Sequence, residues 1–401
     1  MEKLKGNIDI IIIGQQPWDT EIGSNCKDIA LEFSRDHRVL YVNSPLDRIT
    51  VMRNRNESKV RQRLNVIKGK QTGINKVKEN LWTYYPDCIV ESINWINNTR
   101  IFNVLNKVNN RRFAFSIQKA IKTLEFSDYY LFNDSEMFKG FYLKEYLKPV
   151  LSIYYSRDFM IGVNYWKKHG EKLEPELIRK SDLCVTNSAY LEDYCKQYNL
   201  NSYNVGQGFN SDEYVKSSSL TAAVIPNLQS KVVGYVGALN SSRLNIELLT
   251  YLAATFPTIS FLLVGGEDEA FKQSKLHHLD NVLFLGQRPV EELASLVNMF
   301  DICINPQLVN ALTVGNYPRK IDEYLSLGKP VIATRTRTME DFKELVYLAD
   351  TKEEYAYFIE HILTVDQSEL EEQRRLRAVE NSWEASVNKI YKAINLILAS
   401  E

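Results

Sequence analysis

The chain has 401 residues, more than a single core usually serves and enough for two domains. Hydrophobic content of 44% and charged content of 25% are those of an ordinary globular protein, and a formal charge of -1 gives no reason to expect nucleic acid as a partner. Cys26, Cys88, Cys184, Cys195 and Cys303 form neither a Cys-x-x-Cys pair nor a zinc spacing, so reduced thiols, no metal site and a cytoplasmic setting are expected.

In chain order, IDIIIIG (residues 8–14) is short and ends on a glycine. It reads as a buried strand rather than a secretory leader, and no run of 18 apolar residues predicts a membrane-crossing helix. GQQPWDTEIGS (14–24) leads into a helix expected near 24–35, with Ser24 as its N-cap. Strands are then expected at RVLYVN (38–43), DYYLFND (128–134), PVLSIYY (149–155), DLCVTN (182–187) and SYNVG (202–206). They are apolar on both faces, as parallel strands covered by helices must be, which predicts right-handed βαβ units and a doubly wound sheet. Residues 53–78 carry nine Lys or Arg against Glu57 alone. The stretch reads either as a solvated or mobile loop or as a patch that docks on an anionic membrane leaflet, at ~1 kcal/mol per basic residue near the surface. INWINN (93–98), Phe113 and Phe115 are read as core, with apolar insertion into that leaflet as the alternative.

From 209 to 230 the composition turns Ser-rich and aperiodic, as a linker would. A second alternating series follows at KVVGYVG (231–237), SFLLVGG (260–266), NVLFLG (281–286), DICINP (301–306) and PVIAT (330–334). The expected architecture is α/β, with two Rossmann-like domains at 1–208 and 231–380 facing a cleft. A C-terminal helix within 381–401 is expected to pack back on the first domain. Ligands are expected at the C-terminal ends of the strands.

Absent motifs narrow the function. There is no Gly-x-Gly-x-x-Gly after the first strand, no P-loop, no Gly-x-Ser-x-Gly and no Asp-x-Asp. Dinucleotide enzymes, P-loop NTPases and serine hydrolases of that type are therefore disfavoured, as is the metal-holding class of nucleotide-sugar transferases.

PRKIDEYLSLGKPVIAT (318–334) reads as a short helix feeding a strand. A helix starting after Gly315-Asn316-Tyr317-Pro318 points unpaired N–H groups at an anion. Lys320 adds a charge in the first turn, and Glu323, three residues on, is placed to accept from the hydroxyls of a ribose. The same Arg319, Lys320, Asp322 and Glu323 also fit a solvated helix face with i,i+3 and i,i+4 pairs.

This segment resembles the Pro-x-Lys-x-x-Glu-Tyr-Leu-x-x-Gly-x-Pro-Val stretch of GT-B glycosyltransferases, retaining enzymes of bacterial surface polysaccharide and teichuronic acid synthesis in particular. ELIRKSDLCVTNSAYLEDY (176–194), VGQGFNSDEY (205–214), VVGYVGALNSSRLNIELL and NVLFLGQRPVEELASLVNMFDICINP resemble further segments of the family, in the family's order. The resemblance implies that Glu323 binds the donor ribose, that Gly315, Asn316 and Tyr317 hold the diphosphate, and that Gln287 and Arg288 lie beside the nucleobase. It also implies a nucleotide-sugar donor, a glycan or lipid-linked glycan acceptor, and no cofactor. The chain departs from the family's Gly-Arg-x-x-x-x-Lys: it has Gly237-Ala238, with Arg243 where the Lys stands. Gly315 replaces the usual first Glu, eight residues before Glu323.

In the first half, the resemblance makes the loop ending at Gly23 an acceptor-side glycine loop, with Trp18 either stacked on a sugar or capping the sheet. Arg157 and Asp158 follow a strand end. Asp158 is the expected catalytic carboxylate, either as base or as an orienting group, with a structural pairing to Arg157 as the alternative. Arg243 and Lys320 are expected to stabilise the departing diphosphate without a metal. A UDP-sugar epimerase and a non-catalytic nucleotide-sugar scaffold are the alternative functions.

Overall fold

The computed structural model describes residues 8–20, 24–210, 214–216, 225–365 and 368–400. Two compact units emerge: Met1–Gly206 with Ser386–Glu401, and Gln207–Ala385.

Unit 1 is built on an eight-stranded sheet in the order β10-β9-β8-β7-β1-β2-β5-β4. Its strands are β1 (Asp9–Gly14), β2 (Val39–Asn43), β4 (Ile74–Lys78), β5 (Leu81–Tyr84), β7 (Tyr129–Asp134), β8 (Leu151–Ser156), β9 (Leu183–Thr186) and β10 (Ser202–Asn204). All pair in parallel except β4, which is antiparallel to β5. A two-strand pair, β3 (Leu46–Asp47) with β6 (Ile89–Val90), stands apart. The helices are α1 (Asn25–Phe33), α2 (Arg48–Arg53), α3 (Ser58–Ile67), α4 (Thr99–Thr123), α5 (Leu143–Leu147), α6 (Asn164–Lys180) and α7 (Ala189–Lys196). The strands expected from apolar runs are present, and β1, β2, β7, β8 and β9 are buried along their whole length.

The basic stretch 53–78 is not a loop. It forms α3, which buries Val60, Leu64 and Val66, and then the edge strand β4. A three-apolar stripe under a crown of Lys and Arg is enough to seat a helix, and an edge strand tolerates charge on its open side. Trp95 and Phe115 also correct the core expectation: they are 72% and 61% exposed, while Ile93, Ile96 and Phe113 are buried.

Unit 2 has a six-stranded parallel sheet, β13-β12-β11-β14-β15-β16. Its strands are β11 (Val232–Val236), β12 (Ser260–Val264), β13 (Val282–Gly286), β14 (Ile302–Asn305), β15 (Val331–Thr334) and β16 (Tyr347–Ala349). Helices α8 (Ile246–Thr255), α9 (Glu269–Lys272), α10 (Val290–Asn298), α11 (Lys320–Ser326), α12 (Lys352–Thr364) and α13 (Ser368–Glu380) surround it. The last helix, α14 (Trp383–Ser400), starts in unit 2 and continues in unit 1. There its Tyr391 packs on Phe33 at 5.7 Å and on His37 at 5.6 Å. No helix among the described residues is long and apolar enough to cross a membrane.

Candidate functional site

Each sheet has a point where the strand order reverses, and open α/β sheets bind ligands there, beyond the C-terminal strand ends. In unit 2 the reversal lies between β11 and β14. A cavity of about 260 Å³ opens at that place, lined by Tyr235, Ala238, Arg243, Asn305, Asn316 and Lys320 among others. Lys320 Nζ donates to Tyr235 Oη at 3.0 Å and lies 4.7 Å from the centre of that ring. Neither Arg243 nor Lys320 has a carboxylate within ion-pair distance among the described residues, so two cations converge on one small cavity. That arrangement suits an anion. Gly237 keeps the backbone close: its φ is +141°, and a Cβ there would meet Lys320 Nζ at 3.2 Å.

The motif that follows the cavity divides into structural and chemical parts. Tyr324 Oη accepts from the Val236 N–H at 2.9 Å, which fixes α11 against the end of β11. Ile321 and Leu325 are fully buried. Gly328, at φ +73°, ends the helix by donating to the Leu325 carbonyl, a left-handed cap that glycine adopts without penalty. Pro330 and β15 then return the chain to the sheet.

Glu323 faces Arg319, with Oε1 3.6 Å from its Nε, and its side chain is 19% exposed. Burial raises its pKa, while Arg319 and Lys320 act in the opposite direction. It does not line the 260 Å³ cavity, nor do Gly315 and Tyr317. The Tyr317 ring turns inward, donating to Asp322 at 3.2 Å and packing on Phe342 at 5.7 Å, so that ring is turned away from the cavity that Asn316 lines. Gln287 and Arg288 are exposed beyond β13. Arg288 donates to the Leu285 carbonyl and stands 4.0 Å from Glu292.

Asp322, which the alternative of a solvated helix face would expose, is completely buried. It accepts from Asn381 Nδ2 at 2.8 Å and from Tyr317, and burial pushes its carboxyl up to about 7. Its unfolded value lies near ~3.9. The folded chain therefore keeps a proton that the unfolded chain has released, and the stability present below about pH 4 is lost as pH rises to about 7. Asp322→Asn should flatten the decline of Tm over that window, and a decline as steep as in the parent would remove Asp322 as its source.

In unit 1 the order reverses between β1 and β7. Arg157, just past β8, donates to Asp134 Oδ1 at 2.7 Å, to Asp158 Oδ2 at 3.1 Å and to Gln15 Oε1 at 3.2 Å. Asp134 is fully buried at the end of β7, and the Arg157 pKa is raised chiefly by it. The buried Asp134 Oδ2 and Gln15 Nε2 have no hydrogen-bond partner among the described residues. Asp158 is 42% exposed and so remains accessible. The Trp18 ring packs edge-on against Tyr41 at 5.0 Å, and the Trp18 backbone N–H donates to Asn43 Oδ1 at 2.7 Å. Gly23 lies outside the described residues. Sequence reasoning missed Gln15, Asp134, Tyr235 and Asn305. The terminal Asp of DYYLFND is the one whose position past a strand offered a signal.

Two doubly wound sheets, each with its own reversal point, define the GT-B class of fold. Residues 230–365 match the family model for glycosyl transferases group 1. TuaH of Bacillus subtilis (strain 168), whose name assigns it to teichuronic acid biosynthesis as a glycosyltransferase, is 26% identical over 170 residues. The alignment covers 40% of this chain and 42% of TuaH, so it spans less than half the length of that curated relative. Among solved structures, a sucrose-phosphate synthase from Thermosynechococcus elongatus is similar with a TM-score of 0.67 and 15% identity, over 98% of this chain and 100% of that one. Anabaena HepE in complex with UDP is similar with a TM-score of 0.65 and 15% identity, over 98% and 100%.

Proposed function

We propose that the chain transfers a sugar from a UDP-sugar to a hydroxyl of a glycan or lipid-linked glycan in surface-polysaccharide synthesis. The observation that carries this reading is the cavity at the β11/β14 reversal, where Arg243 and Lys320 converge with no carboxylate in ion-pair distance among the described residues. In the proposed complex the diphosphate sits between these cations, Glu323 turns from Arg319 to the ribose, and Gln287 and Arg288 reach the base. As the bond to the sugar breaks, negative charge grows on the diphosphate, and Arg243 and Lys320 stabilise it more than they stabilise the bound donor. The reading includes retention of configuration and no requirement for a metal, both carried by the resemblance of residues 318–334. In unit 1, Asp158 orients the acceptor hydroxyl and Arg157 holds Asp158. HepE, solved with UDP and with UDP-glucose, supports the choice of nucleotide by its likeness of fold.

Thermal shift with UDP tests the reading. UDP is expected to raise Tm, by an amount that reaches ~2.7 kcal/mol of stabilisation at 100 times its Kd. Glu323→Ala is expected to weaken UDP by ~1.5–3 kcal/mol, the value of a charge-assisted hydrogen bond. UDP affinity unchanged by that substitution would remove Glu323 from the ribose.

The proposal extends to a peripheral place at the cytoplasmic face of a membrane. Arg63 is held by Asp19 at 3.0 Å and Lys59 donates to the Asp19 carbonyl, so part of the basic charge of 53–78 is already engaged. Arg53, Arg55, Arg61, Lys68 and Lys70 are exposed. Binding to anionic vesicles is expected to exceed binding to neutral ones and to fade as salt rises from about 0.05 to about 0.5 M. Equal partitioning to both would end the idea.

A further inference from the structure

Unit 1 has a second cavity, of about 590 Å³, that the transferase reading does not use. It lies among the segments that follow β2, β5 and β7, again at the C-terminal side of the sheet. Its walls are apolar: Val90, Ile93, Phe102 and Phe138, with Trp95 and Tyr165 at 72% and 58% exposure.

The polar groups along it are mostly spent on one another. Asp47 accepts from the Thr50 N–H, from Thr50 Oγ1 and from Ser92 Oγ at 3.0, 2.7 and 2.6 Å. Asn109 and the Glu91 backbone exchange two hydrogen bonds, at 2.8 and 2.9 Å. The Glu91 carboxylate is held by Arg48 and Arg112. Two cations remain. Lys139 donates to Ser44 Oγ and Lys168 to the Trp95 carbonyl, both neutral acceptors, and neither has a carboxylate within ion-pair distance among the described residues. Asn94 Oδ1 is buried without a hydrogen-bond partner among the described residues.

A sugar needs many available donors and acceptors, which this cavity has already committed. Hydrocarbon walls with two ammonium groups on neutral acceptors, Lys139 also acting on the Asp47 carboxylate, match an amphiphile with an anionic head. Close by, α2 buries none of its residues and presents Ile49, a wall residue, and Met52, 76% exposed, one turn apart on the same face.

We propose that this cavity binds a lipid phosphate, its chain against Phe102 and Phe138 and its phosphate at Lys139 and Lys168. The inference deepens the transferase reading by naming the acceptor's carrier. It rests on that reading only for the word acceptor, because the binding itself does not require it.

The test is equilibrium binding of farnesyl phosphate, kept below its micelle concentration, to the full chain. Saturable binding is expected, weakened at least about tenfold by the double variant Lys139→Ala/Lys168→Ala, as the loss of charge-assisted contacts implies. Ile49→Trp, which fills the mouth from an exposed position, should abolish it with Tm unchanged. Farnesol should bind more weakly, and glucose 6-phosphate not at all. No saturable binding of farnesyl phosphate would overturn the proposal, and so would equal binding by parent and both variants. Glucose 6-phosphate binding as tightly as farnesyl phosphate would overturn it too, since that describes a hydrophilic phosphate site. UDP stabilisation is measured on the same samples. Its absence beside intact lipid binding counts against the nucleotide reading alone, and its presence beside absent lipid binding counts against the lipid alone.

Discussion

Lys320→Ala should raise the Kd for UDP by about 10- to 150-fold, the equivalent of ~1.5–3 kcal/mol. Lys320 lines the cavity at the β11/β14 reversal and reaches it by way of Tyr235, whose hydroxyl and ring both hold the ammonium. The turnover of bound donor should fall as well, because the charge on the leaving diphosphate grows toward the transition state. Tyr235→Phe separates positioning from charge: it removes the 3.0 Å hydrogen bond but keeps the ring. It should weaken UDP much less than Lys320→Ala does. If Lys320→Ala left UDP affinity within about twofold of the parent, a change of under ~0.5 kcal/mol, the phosphate would have to lie elsewhere.

Asp158→Asn should lower kcat on the order of 10²-fold while UDP affinity stays the same. The size follows from losing the alignment of an acceptor hydroxyl, where a misplacement of about 1 Å has that effect. Asp158 is the exposed member of a chain in which Arg157 bridges it to the buried Asp134. The substitution keeps the shape and removes the charge. Asp134→Asn is a different experiment, since it strips a buried guanidinium of its counter-ion, and destabilisation of several kcal/mol is the typical result, about 3–5. A fall in kcat of less than about threefold for Asp158→Asn would take that carboxylate out of the chemistry, and lost UDP binding would contradict its assignment to the acceptor side.

The sequence by itself determined the class of fold and the short helix of residues 318–334. Its strands are continuous apolar runs because both faces of a parallel sheet are covered, and such runs are visible without coordinates. The segment 318–334 was legible for the same local reason: a proline and glycine bracket one short helix, and Lys320 and Glu323 sit at fixed places within it. The helix within the basic stretch 53–78 was missed, because three buried apolar residues spread over α3 are too weak a period to stand out from nine cations.

Only the tertiary structure decided which of these residues meet. Strand order is not written in any one strand, so the reversal points, and with them the convergence of Tyr235, Asn305 and Lys320 from three separate segments, follow from pairing alone. Asp322 and Glu323 are neighbours in the chain, yet helix geometry turns the first into the core toward Tyr317 and Asn381 and leaves the second partly exposed beside Arg319. The role of Asp134 was likewise invisible. A terminal Asp after a strand is common, and only the packing of β7 beside β8 places it against Arg157, where burial without that partner would be prohibitive.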